Sequence, residues 1–137
     1  MHRVSSALRL AAGALVLAVI TFAGATPSSA QTGCLPGSIQ RTLGQIRAKF
    51  GPVRIASTFR RGAIIAGTRR RSLHASCRAV DFHAPPGKRA AVIAWLRSNH
   101  TGGLGVYGCS MSHIHIDNGG RYTWNKCIGG RRTIARR

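Results

Sequence analysis

Only two carboxylates occur in the chain, Asp81 and Asp117, and both stand beside histidines. Asp81 follows His74 by seven residues, and Asp117 follows the pair His113 and His115, the nearer by two. If residues 113–117 form a strand, side-chain alternation puts His113, His115 and Asp117 on one face and Ile114 and Ile116 on the other. Three polar groups opposite two isoleucines suit the floor of a metal site. Neutral imidazoles and a carboxylate are zinc ligands, and three protein ligands leave the fourth position open for a water, as in catalytic sites. A closed structural site would use a fourth His or Cys. A site made from all four cysteines is the rival, but no C-x-x-C pair exists.

Such residues need elements to carry them. Ile39, Leu43, Ile46 and Phe50 recur at helical spacing and Gly51-Pro52 ends the run, which predicts an amphipathic helix over 37–50. Val53, Ile55, Ser57 and Phe59 alternate as in a half-buried strand, and the Arg- and Gly-rich stretch 60–71 reads as a loop. A strand over about 78–82 would carry Asp81. A helix over about 88–99, burying Val92, Trp95 and Leu96, follows Pro85-Pro86-Gly87, and Thr101-Gly102-Gly103 releases the chain. Further strands are expected near 104–107, 113–117 and 122–124. Helices and strands come in blocks without regular alternation, so the fold class is α+β, a small single domain with two helices and a mostly antiparallel sheet.

The chain has 137 residues, of which the first thirty read as an export leader. Arg3 and Arg9 give a basic start, an apolar run extends from about Leu10 to Ala25, and Ser28-Ser29-Ala30 supplies small residues for cleavage after Ala30. A retained anchor is the alternative, although the run is shorter than the roughly 20 residues a span needs. A lipoprotein signal ending at Cys34 fits less well, because Gln31 stands where an aliphatic residue is wanted. The expected organisation is 1–30 signal peptide, 31–130 folded domain and 131–137 a mobile basic tail. A periplasmic location follows, and four cysteines in an exported chain favour two disulfides. Lys and Arg number 21 against two acidic residues. Nucleic acid is the usual partner of so basic a chain, but export points instead to acidic envelope polymers, lipopolysaccharide phosphates or peptidoglycan carboxylates.

Ser72-Leu73-His74-Ala75-Ser76-Cys77-Arg78-Ala79-Val80-Asp81 resembles the S-x-H-x-x-G-x-A-x-D motif of zinc D-Ala-D-Ala carboxypeptidases. His113-Ile114-His115 resembles the H-x-H motif of the wider group that includes lysostaphin-type endopeptidases and the hedgehog domain. The resemblance covers roughly Val53 to Asp117. It implies a hedgehog/D-Ala-D-Ala peptidase-like fold, with His74, Asp81 and His115 as zinc ligands and His113 as a catalytic residue. Asp117 is then a second carboxylate behind the ligands. Ser57-Thr58-Phe59-Arg60 resembles the S-G-Y-R stretch of these peptidases, which implies that Arg60 faces a substrate carboxylate, with Arg61, Arg69, Arg70 and Arg71 as competitors. Of the other histidines, His83 shares a strand face with Asp81, and His100 stands at a helix end where it meets the dipole. Trp95 reads as core and Trp124 as site wall.

Two positions depart from the family pattern. Cys77 stands where the motif has glycine, so a turn at positive φ must be made by a residue that disfavours it. Ser112 stands where many relatives carry an acidic base, and the chain has no glutamate, which leaves His113 or Asp117 to accept a proton. The implied activity is hydrolysis of peptidoglycan stem peptides by a monomer. The alternative is a secreted zinc-containing binding module of the same fold without turnover. Four cysteines allow three disulfide connectivities. If one metal gathers the segments around His74 and His113, Cys77 and Cys109 come together, leaving Cys34 and Cys127 to join the two ends of the domain.

Overall fold

The computed structural model describes residues 32–109, 111–127 and the backbone of 133–136. The expected leader, 1–30, lies outside the described residues. Ile39, Leu43 and Ile46 lie along one side of helix α1 (Gly37–Phe50) and are buried. Gly51, at φ 104°, ends the helix while its N–H still donates to the Arg47 carbonyl. Helix α2 (Arg89–Asn99) buries Val92, Ile93 and Leu96, and Trp95 packs at its edge against Phe50.

Six strands form one sheet in the order β1-β2-β4-β3-β5-β6: β1 (Arg54–Ser57), β2 (Ala79–His83), β3 (Leu104–Tyr107), β4 (Ile114–Asp117), β5 (Tyr122–Lys126) and β6 (Thr133–Arg136). All neighbours are antiparallel except β3 and β5. The fold is α+β, as the blocks of periodicity indicate. Val80, Phe82, Leu104, Ile114 and Ile116 share one buried cluster with the apolar residues of both helices. Alternation therefore turns Asp81, His115 and Asp117 to the opposite face. That face is covered by the loop 60–71, a short 3-10 turn at Leu73–Ser76 and Trp124.

Three details differ from the sequence reading. β1 stops at Ser57, where a register shift against β2 breaks the alternation that suggested a strand to Phe59. His113 precedes β4, whose first residue is Ile114. Within the basic tail expected to be mobile, Thr133–Arg136 pairs along β5 as an antiparallel edge strand, because β5 would otherwise offer an open row of backbone groups.

The disulfides overturn the expected pairing. Cys34 is bonded to Cys77 and Cys109 to Cys127, with Cα–Cα distances of 5.9 and 5.3 Å, in place of Cys77–Cys109 and Cys34–Cys127. Strand direction is the reason. Ala79 pairs with Asp117, so Cys77 lies beyond one end of β4, whereas Val106 pairs with Ile114, so Cys109 lies beyond the other. Four strand residues, about 13 Å at 3.3 Å each, separate the two levels. The parallel register of β3 and β5, with Tyr107 beside Lys126, carries Cys109 and Cys127 out on the same side.

Cys77 occupies the left-handed region at φ 53° and ψ 33°, the conformation for which the glycine of the motif is suited. Its bond to Cys34 ties this turn to the start of α1. Closing a loop over a separation of 43 residues restricts the unfolded chain by about 4 kcal/mol, and the separation of 18 for Cys109–Cys127 by about 3 kcal/mol.

Non-reducing peptide mapping is therefore expected to join Cys34 to Cys77. Denaturant unfolding of Cys34→Ser/Cys77→Ser should show a loss of up to about 4 kcal/mol. Cys34→Ser/Cys77→Gly should recover about 1 kcal/mol of it, because glycine relieves the left-handed strain. Equal stability of the two double variants would refute the strain at Cys77.

Candidate metal centre and cleft

Ser72 caps the 3-10 turn by accepting a hydrogen bond from the His74 N–H, and the turn delivers His74 beneath β2. The His74 Nδ1–H donates to the Thr58 carbonyl, which leaves the Nε2 lone pair pointing inward. Nε2 lies 3.2 Å from Asp81 Oδ2 and 3.2 Å from His115 Nδ1. Asp81 Oδ1 is 2.8 Å from the same His115 nitrogen. Register makes this contact, since Asp81 and His115 are direct partners in the β2–β4 ladder.

The far nitrogen of His115, Nε2, donates to Asp117 Oδ2 at 3.1 Å. Asp117 Oδ1 accepts from the N–H groups of Gly103 (3.0 Å) and Gly119 (2.8 Å). Each imidazole thus has one nitrogen engaged by an acceptor and the other turned toward Asp81. Outer partners fix ligand imidazoles in this way in metal sites. One ligand atom from each of His74, Asp81 and His115 lies within 4.8 Å of the others, and all three residues are buried. Two bonds of 2.0–2.1 Å at the tetrahedral angle span about 3.3 Å between ligands, close to the two 3.2 Å separations found here. The donor set and spacing fit a zinc-sized ion.

Charge is arranged to match. Burial opposes the ionised form of Asp81, but hydrogen bonds and attraction from His115 and His74 outweigh it and hold the carboxyl well below its usual range. Burial likewise opposes Asp117, and His115 with the two glycine N–H groups lowers it nonetheless. Burial disfavours a charged His115, yet Asp117 and Asp81 raise its pKa above the ordinary value. The metal-free centre therefore tends to hold a proton on His115 between two carboxylates.

The three residues lie in a cleft of about 610 Å³. The Trp124 ring lies tilted against His115 at 5.0 Å and Tyr122 stacks on Trp124 at 5.2 Å, forming one wall, the place expected for Trp124. His113 lines the cleft with its ring against Tyr107 at 4.5 Å. Burial lowers its pKa, opposed by the Asp81 charge and reinforced by His115, Arg60 and Arg89, so the ring is neutral near pH 7. Arg60 is exposed at the rim with its guanidinium 3.7 Å from Asp81 Oδ2, and Arg61 also borders the cleft.

A family profile described as Peptidase M15 matches residues 22–117. The chain belongs to the Peptidase M15 family. No curated protein and no solved structure matches it.

Several parts of this M15 site are silent in the sequence. Arg89, at the start of α2, donates from Nε to the Ser112 carbonyl at 3.1 Å and from Nη2 to the Tyr107 carbonyl. One guanidinium thereby ties both ends of the connection that carries His113. His100 stands at the C-terminal end of α2, the place read from the sequence. It is buried, and its Nε2 donates to the Asp117 backbone carbonyl at 2.9 Å. His83 shares the face of Asp81 as expected, but it bonds the Ser112 hydroxyl at 3.2 Å. Gly103 and Gly105 leave room that no side chain allows. A Cβ at Gly103 would stand 2.4 Å from Asp117 Oδ2, and one at Gly105 2.5 Å from the Trp124 ring. The Gly102-Gly103 pair is visible in the sequence as a chain break; its use against Asp117 requires the register of β3 and β4.

Metal binding must displace the proton that His115 holds, so affinity should fall as pH falls. The decline should approach roughly tenfold per pH unit below the raised His115 pKa, one proton being released per ion. Competition with a chromophoric chelator between about pH 5 and pH 8 measures this. A flat profile would contradict the ligand role of His115.

Proposed function

We propose that this M15 peptidase is a zinc enzyme that hydrolyses the stem peptides of peptidoglycan, as a D,D-carboxypeptidase or endopeptidase. The observation that carries the reading is the convergence of His74 Nε2, His115 Nδ1 and Asp81 at the cleft floor, each imidazole oriented by a second partner. His74, Asp81 and His115 would hold the ion. Zinc, when bound, lowers the pKa of a water toward about 7 and polarises a carbonyl.

The remaining roles fall to the chain's own groups. Asp117 is buried and committed three times, to His115 Nε2 and to two backbone N–H groups, which suits it to orienting the ligand imidazole and not to meeting a substrate proton. His113, neutral and lining the cleft, is the proton acceptor and donor that the absence of glutamate otherwise leaves unassigned. Arg60 offers a guanidinium fork at the rim for the carboxylate of a peptide terminus. Tyr122 and Trp124 shield the floor from water on the other side.

Two disulfides fit an oxidising compartment. We place the protein in the periplasm, cleaved near Ala30 and acting as a monomer among peptidoglycan and other acidic envelope polymers. A second reading, a zinc-containing binding module without turnover, is favoured by one feature. Ser112 stands where relatives carry an acidic base, and its hydroxyl is engaged by His83.

Digestion of purified sacculi with and without a chelator, followed by analysis of released muropeptides, separates the readings. Hydrolysis abolished by chelation and restored by zinc is the expected result; intact sacculi with zinc bound would leave the binding module. His113→Ala should keep its zinc and lose turnover by about 10²-fold or more. His74→Ala should lose most zinc affinity, and full occupancy in that variant would remove His74 from the ligand set.

A further inference from the structure

The loop between β1 and the 3-10 turn, residues 60–71, is an ordered arm. Ile64 and Arg71 form an antiparallel bridge. The Ile65 N–H donates to the Arg70 carbonyl at 2.8 Å and the Ser72 N–H to the Ala63 carbonyl at 2.9 Å. At its end the Thr68 hydroxyl accepts from the Arg70 N–H and donates to the Ile65 carbonyl. Gly62 and Gly67, at φ 70° and 76°, make the bends.

The order of residues along the arm is unusual. Arg60-Arg61 leads into Gly62-Ala63-Ile64-Ile65-Ala66-Gly67, and Arg69-Arg70-Arg71 follows. An apolar limb, Ala63 to Ala66, is thus flanked on both sides by guanidiniums, all five of them exposed, and the turn itself falls at Gly67-Thr68. Ile64 is 61% exposed and Phe59, at the arm's base, 51%; these are the exposed large hydrophobic side chains among the described residues. The chain's two acidic side chains are both buried in the metal centre, and of the arm's guanidiniums it is Arg60 that approaches one, 3.7 Å from Asp81.

We propose that this arm docks the protein on an anionic phospholipid surface, with the exposed Ile64 side chain entering the headgroup region and Arg69, Arg70 and Arg71 on lipid phosphates. A soluble polyanion would satisfy the guanidiniums but gain nothing from Ile64, whereas a lipid interface takes apolar and cationic groups together. The arm is already held by its own hydrogen bonds, so little ordering is needed on binding. The attachment proposed for the arm is peripheral, and no helix among the described residues is long and apolar enough to cross a membrane. Because residues 60–66 also border the cleft, docking sets the cleft mouth at the lipid surface. The inference does not depend on the peptidase reading.

Every described element and both disulfides lie within 32–136, so a chain beginning at residue 31 is the form to test, free of the apolar N-terminal run. Sedimentation with vesicles of phosphatidylglycerol and phosphatidylcholine, against pure phosphatidylcholine, measures binding. Wild type should sediment with the anionic vesicles alone, and less so at high salt. Arg69→Gln/Arg70→Gln/Arg71→Gln should weaken binding about 10²-fold, and Ile64→Ser about tenfold. Thermal unfolding of each variant checks that the fold persists. Absence of vesicle binding by wild type would overturn the proposal. So would an Ile64→Ser variant that binds as well as wild type, or inorganic polyphosphate competing equally against both proteins, since either marks a purely ionic surface. If wild type lacks hydrolysis yet binds vesicles, the peptidase reading fails and the docking arm stands.

Discussion

The imidazole of His115 is held between two buried carboxylates, Asp81 on Nδ1 and Asp117 on Nε2. Removing one member of such a group from the interior costs about 3–5 kcal/mol, because the remaining charge is left without compensation. Without His115, both carboxylates would lose a principal partner. The β2–β4 ladder makes the arrangement possible by placing Asp81 opposite His115 and Ala79 opposite Asp117. The raised pKa of His115 favours a proton that offsets part of the charge of the two carboxylates when metal is absent, and a divalent cation would offset both. Fold stability and metal affinity therefore both draw on Asp81 and His115.

A polar layer on the second face of a sheet is tolerated only if its groups are satisfied and closely packed. Backbone supplies much of this. Gly103 and Gly119 donate to Asp117, the Thr58 carbonyl accepts from His74, and the Asp117 carbonyl accepts from the buried His100. Gly105 brings the Trp124 ring close to His115, where a methyl group would keep it out. Arg89 fixes the connection that presents His113, and the Cys109–Cys127 bond closes the outer side of the same connection. The second partner of His74 is a main-chain carbonyl, and that of His115 is a carboxylate itself held by two main-chain N–H groups.

Charge is segregated to an unusual degree. Both acidic side chains are buried, and no Lys or Arg side chain among the described residues is. The centre is thus an anionic core inside a cationic shell, which favours a divalent ion at the floor and anionic groups at the rim. Arg60 belongs to both regions, exposed at the cleft mouth yet 3.7 Å from Asp81.

Much of the site was legible before any coordinates. Two carboxylates beside histidines, at spacings that match a peptidase family, singled out His74, Asp81 and His115, and the structure brings these three together. The helix at Gly37–Phe50 and the strand at Leu104–Tyr107 were equally readable, since apolar periodicity and glycine or proline punctuation are local properties of the chain. What the sequence could not determine was every feature that depends on which strand lies beside which. The parallel pairing of β3 with β5 decides the disulfides, the capture of Asp117 by Gly103 depends on the β3–β4 register, and the Arg89 clamp needs α2 packed behind that connection. Such contacts join residues far apart in the chain, and no local pattern of spacing or polarity encodes the direction in which two distant strands run.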